Sequence, residues 1–376
     1  MHLLERIDEP RPKRLLALDG GGIRGALSIE VLAGLEETLR AELGGDEGFV
    51  LADYFDYIGG TSTGAIIAAC LAWGMPVAKV RAFYRENAEQ MFERSRLVRR
   101  WRHKYEDEAL SRRLRDEFEG ATLGSERLRT LLMMVLRNAT TDSPWTISNN
   151  PRAKYNELGR PDCNLALPLW QLVRASTAAP VYFPPEVVDT GRHEFIFVDG
   201  GVTPYNNPAF QLFLMSTLEP YRLRWPVGED RMLLVSVGTG SSPRADANLQ
   251  ADDMNILYNA SSIPGALMYA SLNEQDILCR TFGRCRVGAH LDNEIGDLRN
   301  VGGPVEPRLF TYMRYNAELT EAGLGSLGLA DVDPADVRSL DSIDHVDDLL
   351  RIGRAVAARD VDAAHFEGFL DPARTR

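Results

Sequence analysis

Apolar runs cut by glycine dominate the first part of the chain. Leu15-Leu16-Ala17-Leu18 is a short apolar block between Arg14 and Asp19, the pattern of a buried strand. Gly20-Gly21-Gly22-Ile23-Arg24-Gly25 follows as a loop, and Ala26 to Leu43 then places apolar residues at helical spacing. The plan repeats downstream, where Tyr54 to Gly59 reads as a second buried strand, Gly60-Thr61-Ser62-Thr63-Gly64 as a turn, and Ala65 to Trp73 as an apolar helix. A third strand, Phe195-Ile196-Phe197-Val198-Asp199, ends in an acid followed by Gly200-Gly201. Residues 91–130 alternate charged and apolar positions without strand signals, as an inserted helical cap would, and Asp347 to Arg359 again has helical spacing.

These elements carry chemistry at their junctions. A serine between glycines two positions away, at a strand-to-helix turn, suits an elbow that presents a nucleophile, because a side chain at either glycine would clash with neighbouring backbone. The glycine loop before it lets backbone N–H groups converge at a helix N-terminus, where an anion or a developing oxyanion is stabilised. Asp199 stands at a strand end, and all three features fall at the C-terminal ends of predicted strands, where open α/β sheets build their sites.

Taken together, Asp19-Gly20-Gly21-Gly22-Ile23-Arg24-Gly25, Gly60-Thr61-Ser62-Thr63-Gly64 and Asp199-Gly200-Gly201 resemble, in order and context, the motifs of the patatin-like phospholipases. Further similar stretches are Arg174 to Pro180 with Tyr182-Phe183-Pro184-Pro185, Asn206-Asn207-Pro208, and Leu234 to Gly240. The resemblance runs from about Arg14 to Gly240 and is looser beyond, resting there on Tyr315-Asn316 with Leu319-Thr320. It implies a three-layer α/β/α sandwich with a mostly parallel central sheet, and a Ser-Asp dyad with Ser62 as nucleophile and Asp199 as base. It also implies an oxyanion hole formed by Gly20, Gly21, Gly22 and Arg24; separately, no cofactor or metal is expected. The expected organisation is one catalytic domain over 1–376, with its core at about 14–240 and 241–376 as an extension packed on that core. The implied substrate is a phospholipid, a lysophospholipid or another lipid ester, cleaved through an acyl-enzyme.

Serine is a weak nucleophile at neutral pH and needs a base within reach. After Asp199 the histidines are His290, His345 and His365; none has a motif around it, His290 reads as a loop residue near a strand end and the other two as solvated helix positions. A dyad is therefore expected over a triad.

Gly20, Gly22 and Gly25 also satisfy G-x-G-x-x-G, so a nucleotide- or phosphate-binding module is the rival reading. It requires an acid at the end of the next strand, whereas Glu42, Asp46 and Glu47 fall in or beside a glycine-rich loop. A P-loop is absent, because alanine follows Gly64 where lysine is required. A third reading is a signal-activated, membrane-degrading effector of the kind some bacterial relatives are.

Composition narrows the setting. The chain of 376 residues is 44% hydrophobic with a net charge of −12, which argues against a general attraction to nucleic acid or to anionic membranes. No apolar run approaches the ~18 residues of a membrane span, and the charged N-terminus lacks the apolar stretch of a secretory signal. Cys70, Cys163, Cys279 and Cys285 have no paired zinc spacing, so a soluble cytoplasmic protein with reduced thiols is expected. One local exception is Arg94 to Lys104, six cations around Leu97, Val98 and Trp101; it reads either as a helix or loop paired with Glu106-Asp107-Glu108 or as a peripheral contact with phospholipid headgroups. Asp331 to Asp336 alternates acids but has Asp336 where a calcium loop needs glycine and Ser342 where it needs glutamate, which excludes an EF-hand.

Overall fold

A computed structural model describes residues 3–92, 111–180, 183–241 and 256–370. The Arg94 to Lys104 stretch, its acidic neighbours and Tyr182 lie outside the described residues.

Among the described residues nine strands form one sheet. They are β1 (Lys13–Leu18), β2 (Tyr57–Thr61), β3 (Leu131–Asn138), β4 (Ser143–Ser148), β5 (Glu186–Asp189), β6 (Glu194–Asp199), β7 (Met232–Val237), β8 (Arg284–Val287) and β9 (Thr311–Tyr315). The order is β5-β6-β3-β2-β1-β7-β9-β8, with β4 paired to β3. β3, β2, β1, β7, β9 and β8 run parallel, and β4 and β6 pair antiparallel with β3. The central strand β1 is buried at all six positions, as expected of a strand covered on both faces.

The longer helices are α1 (Gly25–Leu43), α2 (Thr63–Ala72), α3 (Val77–Phe92), α4 (Leu169–Ser176), α5 (Ala209–Thr217), α6 (Ile256–Phe282) and α7 (Val346–Asp360). Successive strand side chains point to opposite faces, and the two hydrophobic clusters obey that period. Leu16, Leu18, Ile58, Leu132 and Met134 pack with α1, α2, α4 and α7, whereas Leu15, Ala17, Tyr57, Leu131 and Met133 pack with α5 and the end of α6. The fold is thus a three-layer α/β/α sandwich with a mostly parallel sheet. Each fully buried leucine in it contributes about 1.5–3 kcal/mol.

Two boundaries differ from the sequence reading. The strand read from Tyr54 begins at Tyr57, because Leu51–Tyr54 closes one helical turn first. The sheet also continues well past Gly240. β8 and β9 are strands of it, and α7 lies so close to α1 that a β-carbon on Gly353 would meet Leu27 O at 2.4 Å and one on Gly34 would meet Ala357 Cβ at 2.8 Å. Of the stretch read as a helical cap, residues 111–117 are helical and 118–130 lead through turns into β3. Among the described residues no helix is long and apolar enough to cross a membrane.

Candidate active site

β2 stops at Thr61, and the chain reverses into α2 through a single residue, Ser62, held at φ 54° and ψ −123°. A non-glycine residue there is strained, and only tight surroundings sustain it. Those surroundings exist because the flanking residues lack side chains. A β-carbon at Gly60 would sit 2.1 Å from Gly64 O, and one at Gly64 would sit 2.3 Å from Leu18 O. The Ser62 N–H donates to Ser176 Oγ at 3.0 Å, and the Ser176 hydroxyl donates in turn to Val135 O at 2.6 Å. The end of α4 thereby ties the elbow to β3.

Asp199 arrives by a different route. Along one edge of β3, Val135 pairs with Thr61 of β2, and the next residue, Leu136, pairs with Asp199 of β6. Two strands thus end head to head on the same edge, which brings residues 137 positions apart into contact. Ser62 Oγ donates to Asp199 Oδ2 at 2.5 Å, and Gly201 N donates to Asp199 Oδ1 at 2.6 Å. Burial pushes the Asp199 carboxyl up to about 6; the hydrogen bonds from Ser62 and Gly201 and the charge of Arg174 oppose that rise. A carboxylate so raised is a stronger base than a solvated one and still ionised at neutral pH.

The glycine loop crosses the top of β1 beside the elbow. A β-carbon at Gly20 would touch Ser62 Cβ at 3.3 Å. The Gly20 N–H is engaged by Asn206 O at 3.0 Å, whereas among the described residues no protein acceptor takes the N–H of Gly21 or Gly22. Gly22 adopts φ 59°, and Tyr84 Oη of α3 donates to its carbonyl. Arg24 is buried with its Nε 3.5 Å from Gly21 O, and burial lowers its guanidinium to about 10 against the pull of Asp19. The four residues expected to form an oxyanion hole therefore differ: two amides are open, one is taken, and Arg24 braces the loop from beneath.

Behind the loop, Asp19 is clamped by Arg314 of β9, with Nη1 2.9 Å from Oδ1 and Nη2 2.5 Å from Oδ2, and Arg314 also donates to Ser236 Oγ of β7 at 2.7 Å. Burial alone would lower Arg314, but the Asp19 carboxylate outweighs it and holds the guanidinium protonated. Thr239 Oγ1 donates to Gly20 O at 3.0 Å, and Ile23 N to Leu340 O at 3.0 Å.

Among the described residues no histidine hydrogen-bonds to Ser62 or Asp199. His290 is exposed, His345 faces Asp336 and Asp348, and His365 Nδ1 lies 3.2 Å from Tyr315 Oη. His365 is half-buried, not solvated as its helical spacing suggests. The dinucleotide reading also lacks its acid, since the strand after the glycine loop ends in Gly60-Thr61 and the elbow. Sequence reasoning missed Ser176, Arg314 and Thr239. Ser176 lies inside a stretch already singled out, but one helical serine carries no signal of its own, and Arg314 is recognisable only once β9 is placed beside β7.

A strained serine on a strand-to-helix elbow thus stands against a buried aspartate, with open glycine amides alongside, at the C-terminal edge of an α/β sheet. The family model for patatin-like phospholipase matches residues 16–213, more than half of the chain, and the chain belongs to that family. Patatin-T5 of Solanum tuberosum is 29% identical over 259 residues, covering 64% of this chain and 63% of that protein. Patatin-like protein 1 of Arabidopsis thaliana is 32% identical over 62% of this chain and 60% of its own length. An intracellular phospholipase A2 of Caenorhabditis elegans is 30% identical over 64% of this chain and 21% of its own. The chain thus spans about three fifths of the plant relatives and a fifth of the nematode one. The solved structure of VipD from Legionella pneumophila aligns over 91% of this chain and 67% of its own with a TM-score of 0.37 and 15% identity.

Proposed function

We propose that this chain is a lipid acyl hydrolase that cleaves fatty-acyl esters of phospholipids or lysophospholipids, with Ser62 as nucleophile and Asp199 as general base. The observation that carries this reading is the 2.5 Å hydrogen bond from Ser62 Oγ to a buried carboxylate raised to about 6. Asp199 takes the hydroxyl proton as Oγ attacks the ester carbonyl, and the open amides of Gly21 and Gly22 receive the oxyanion. The tetrahedral intermediate collapses with return of the proton to the leaving alcohol, which leaves an acyl group on Ser62. Water then attacks that ester, giving its proton to Asp199 and releasing the fatty acid. Family membership supports the substrate class. A cytoplasmic setting with transient access to membrane lipid, and a single catalytic domain that includes the strands after Gly240, complete the proposal.

Mass spectrometry of the intact protein after exposure to a fluorophosphonate probe tests it. One adduct mapping to Ser62 and missing from Ser62→Ala supports the reading. Labelling elsewhere, or labelling that survives in Ser62→Ala, overturns it.

A further inference from the structure

Asn206 lies beside the dyad with a hydrogen-bonding atom left over. Its backbone carbonyl holds the Gly20 N–H, while its side chain is buried, and among the described residues Oδ1 has no protein donor. The position of that oxygen is defined by the glycines around it. A β-carbon at Gly20 would meet Asn206 Oδ1 at 2.2 Å and Ser62 Cβ at 3.3 Å, and one at Gly201 would meet Asn206 Oδ1 and Asp199 Oδ1 each at 3.0 Å. The amide oxygen thus flanks the same two glycines as the nucleophile and the base. Its neighbour Asn207 shows what the alternative looks like: there Oδ1 accepts from the N–H of Ala209, the first residue of α5, at 3.1 Å.

A buried acceptor without a donor is unfavourable and calls for a partner at some stage of the working cycle. An oxyanion cannot be that partner, since it too only accepts, and an acyl chain offers no polar hydrogen. We propose that Asn206 Oδ1 positions the water that hydrolyses the acyl-enzyme. The inference rests on the acyl-enzyme reading above. Water carries two hydrogens. One passes to Asp199 as the water oxygen bonds to the acyl carbonyl carbon, and the other is held by Asn206. The intermediate then breaks its bond to Ser62 Oγ, and Asp199 returns the proton to that oxygen. The reacting hydroxyl of the leaving alcohol in the first half-reaction carries one hydrogen only, supplied by Asp199, and therefore has nothing to offer Asn206. The residue acts on deacylation by water and leaves acylation, and acyl transfer to a simple alcohol, largely alone.

The test compares wild type, Asn206→Leu and Asn206→Asp on p-nitrophenyl butyrate, with and without methanol. In Asn206→Leu, hydrolysis of the acyl-enzyme is expected to slow by about 10- to 100-fold. A burst of p-nitrophenolate close to one per enzyme should precede a slow steady state, kcat and KM should fall together, and methanol should raise turnover far more than in wild type. Asn206→Asp keeps the shape and an acceptor oxygen, and should hydrolyse its acyl-enzyme faster than the leucine variant. If leucine is not tolerated between the glycines, Asn206→Ala removes the same oxygen and is read by the same partition. A methanol-to-water partition equal to wild type, or a loss in kcat/KM as large as that in kcat without a burst, overturns the inference. Absence of any acyl adduct on Ser62 in wild type overturns the underlying acyl-enzyme reading instead, and this inference with it.

Discussion

The two loops that meet at Ser62 are built on different principles. The elbow is held by what is close to it: absent side chains at Gly60 and Gly64, the Ser176 hydroxyl, and β6 ending against β3 where β2 stops. All of that lies within residues 16–213, the span of the family model. The glycine loop is held from far away. Beside Asn206 on Gly20 and Tyr84 on Gly22, which lie within that span, its supports are Arg314 on Asp19, Thr239 on Gly20 and Leu340 on Ile23, which lie beyond it. Ser62 is thus secured by local backbone geometry and the neighbouring amides by a buried ion pair, so the two halves of one site should fail in different ways.

Damage to the dyad should remove chemistry and spare the fold. Ser62→Ala and Asp199→Asn are each expected to cut kcat by roughly 10³–10⁶, measured as turnover of a lysophospholipid, while circular dichroism stays unchanged. Asp199→Asn carries a second signature. The folded carboxyl titrates at about 6 against an ordinary 3.8, so the folded state binds the proton more tightly than the unfolded one. The stability this group contributes is therefore fully present below about pH 4 and lost as pH rises through 6. The asparagine variant should gain up to about 3 kcal/mol over wild type at pH 7 to 8, with the gap closing near pH 4. Urea denaturation at the two pH values decides it, and an equal gap at both would sink the assignment of a raised Asp199.

Damage to the loop's anchor should do the reverse and cost stability first. Arg314→Met leaves Asp19 buried without its partner and should destabilise by about 3–5 kcal/mol. Asp19→Asn combined with Arg314→Met should recover part of that loss, because no uncompensated charge then remains. If the double variant melts no higher than the single one, the pair does not anchor the loop. The burial of Asp199, and not the anchor, sets the acid limb of the pH profile: protonation of Asp199 should make kcat/KM fall about tenfold per pH unit below 6.

The same contrast explains how much could be read from sequence. The elbow, the strand-end acid and the glycine loop were legible because each is compact, with a turn chemistry that few residues satisfy. Their meeting was less so. Ser62 and Asp199 converge because β6 takes over the edge of β3 at Leu136, a topological fact that no spacing encodes. The C-terminal third reads as an extension packed on a core ending near Gly240, since its pattern is ordinary; its strands nevertheless join the sheet, and Arg314 among them reaches Asp19. The oxyanion assignment depended on the same missing layer. Gly20, Gly21 and Gly22 are alike in sequence, and only Asn206 folding back onto Gly20 separates them.

The smallest expected effect sharpens the comparison by testing the weakest link between the two halves. His290 follows Asp199 in the chain order of a Ser-Asp-His triad, and with Asp19, Asp276 and Arg314 it lines a cavity of about 60 Å³ behind the glycine loop. If it served the dyad, its loss would cost orders of magnitude and move the acid limb. Its exposure and its lack of any hydrogen bond to Ser62 or Asp199 place it on the anchor's side instead. His290→Ala should therefore keep kcat/KM within about twofold, with the acid limb still near 6, because surface substitutions away from such contacts shift stability by only about 0.5 kcal/mol. A collapse of activity with an intact fold would transfer the role of base from Asp199 to an Asp-His pair and erase the division between the two loops.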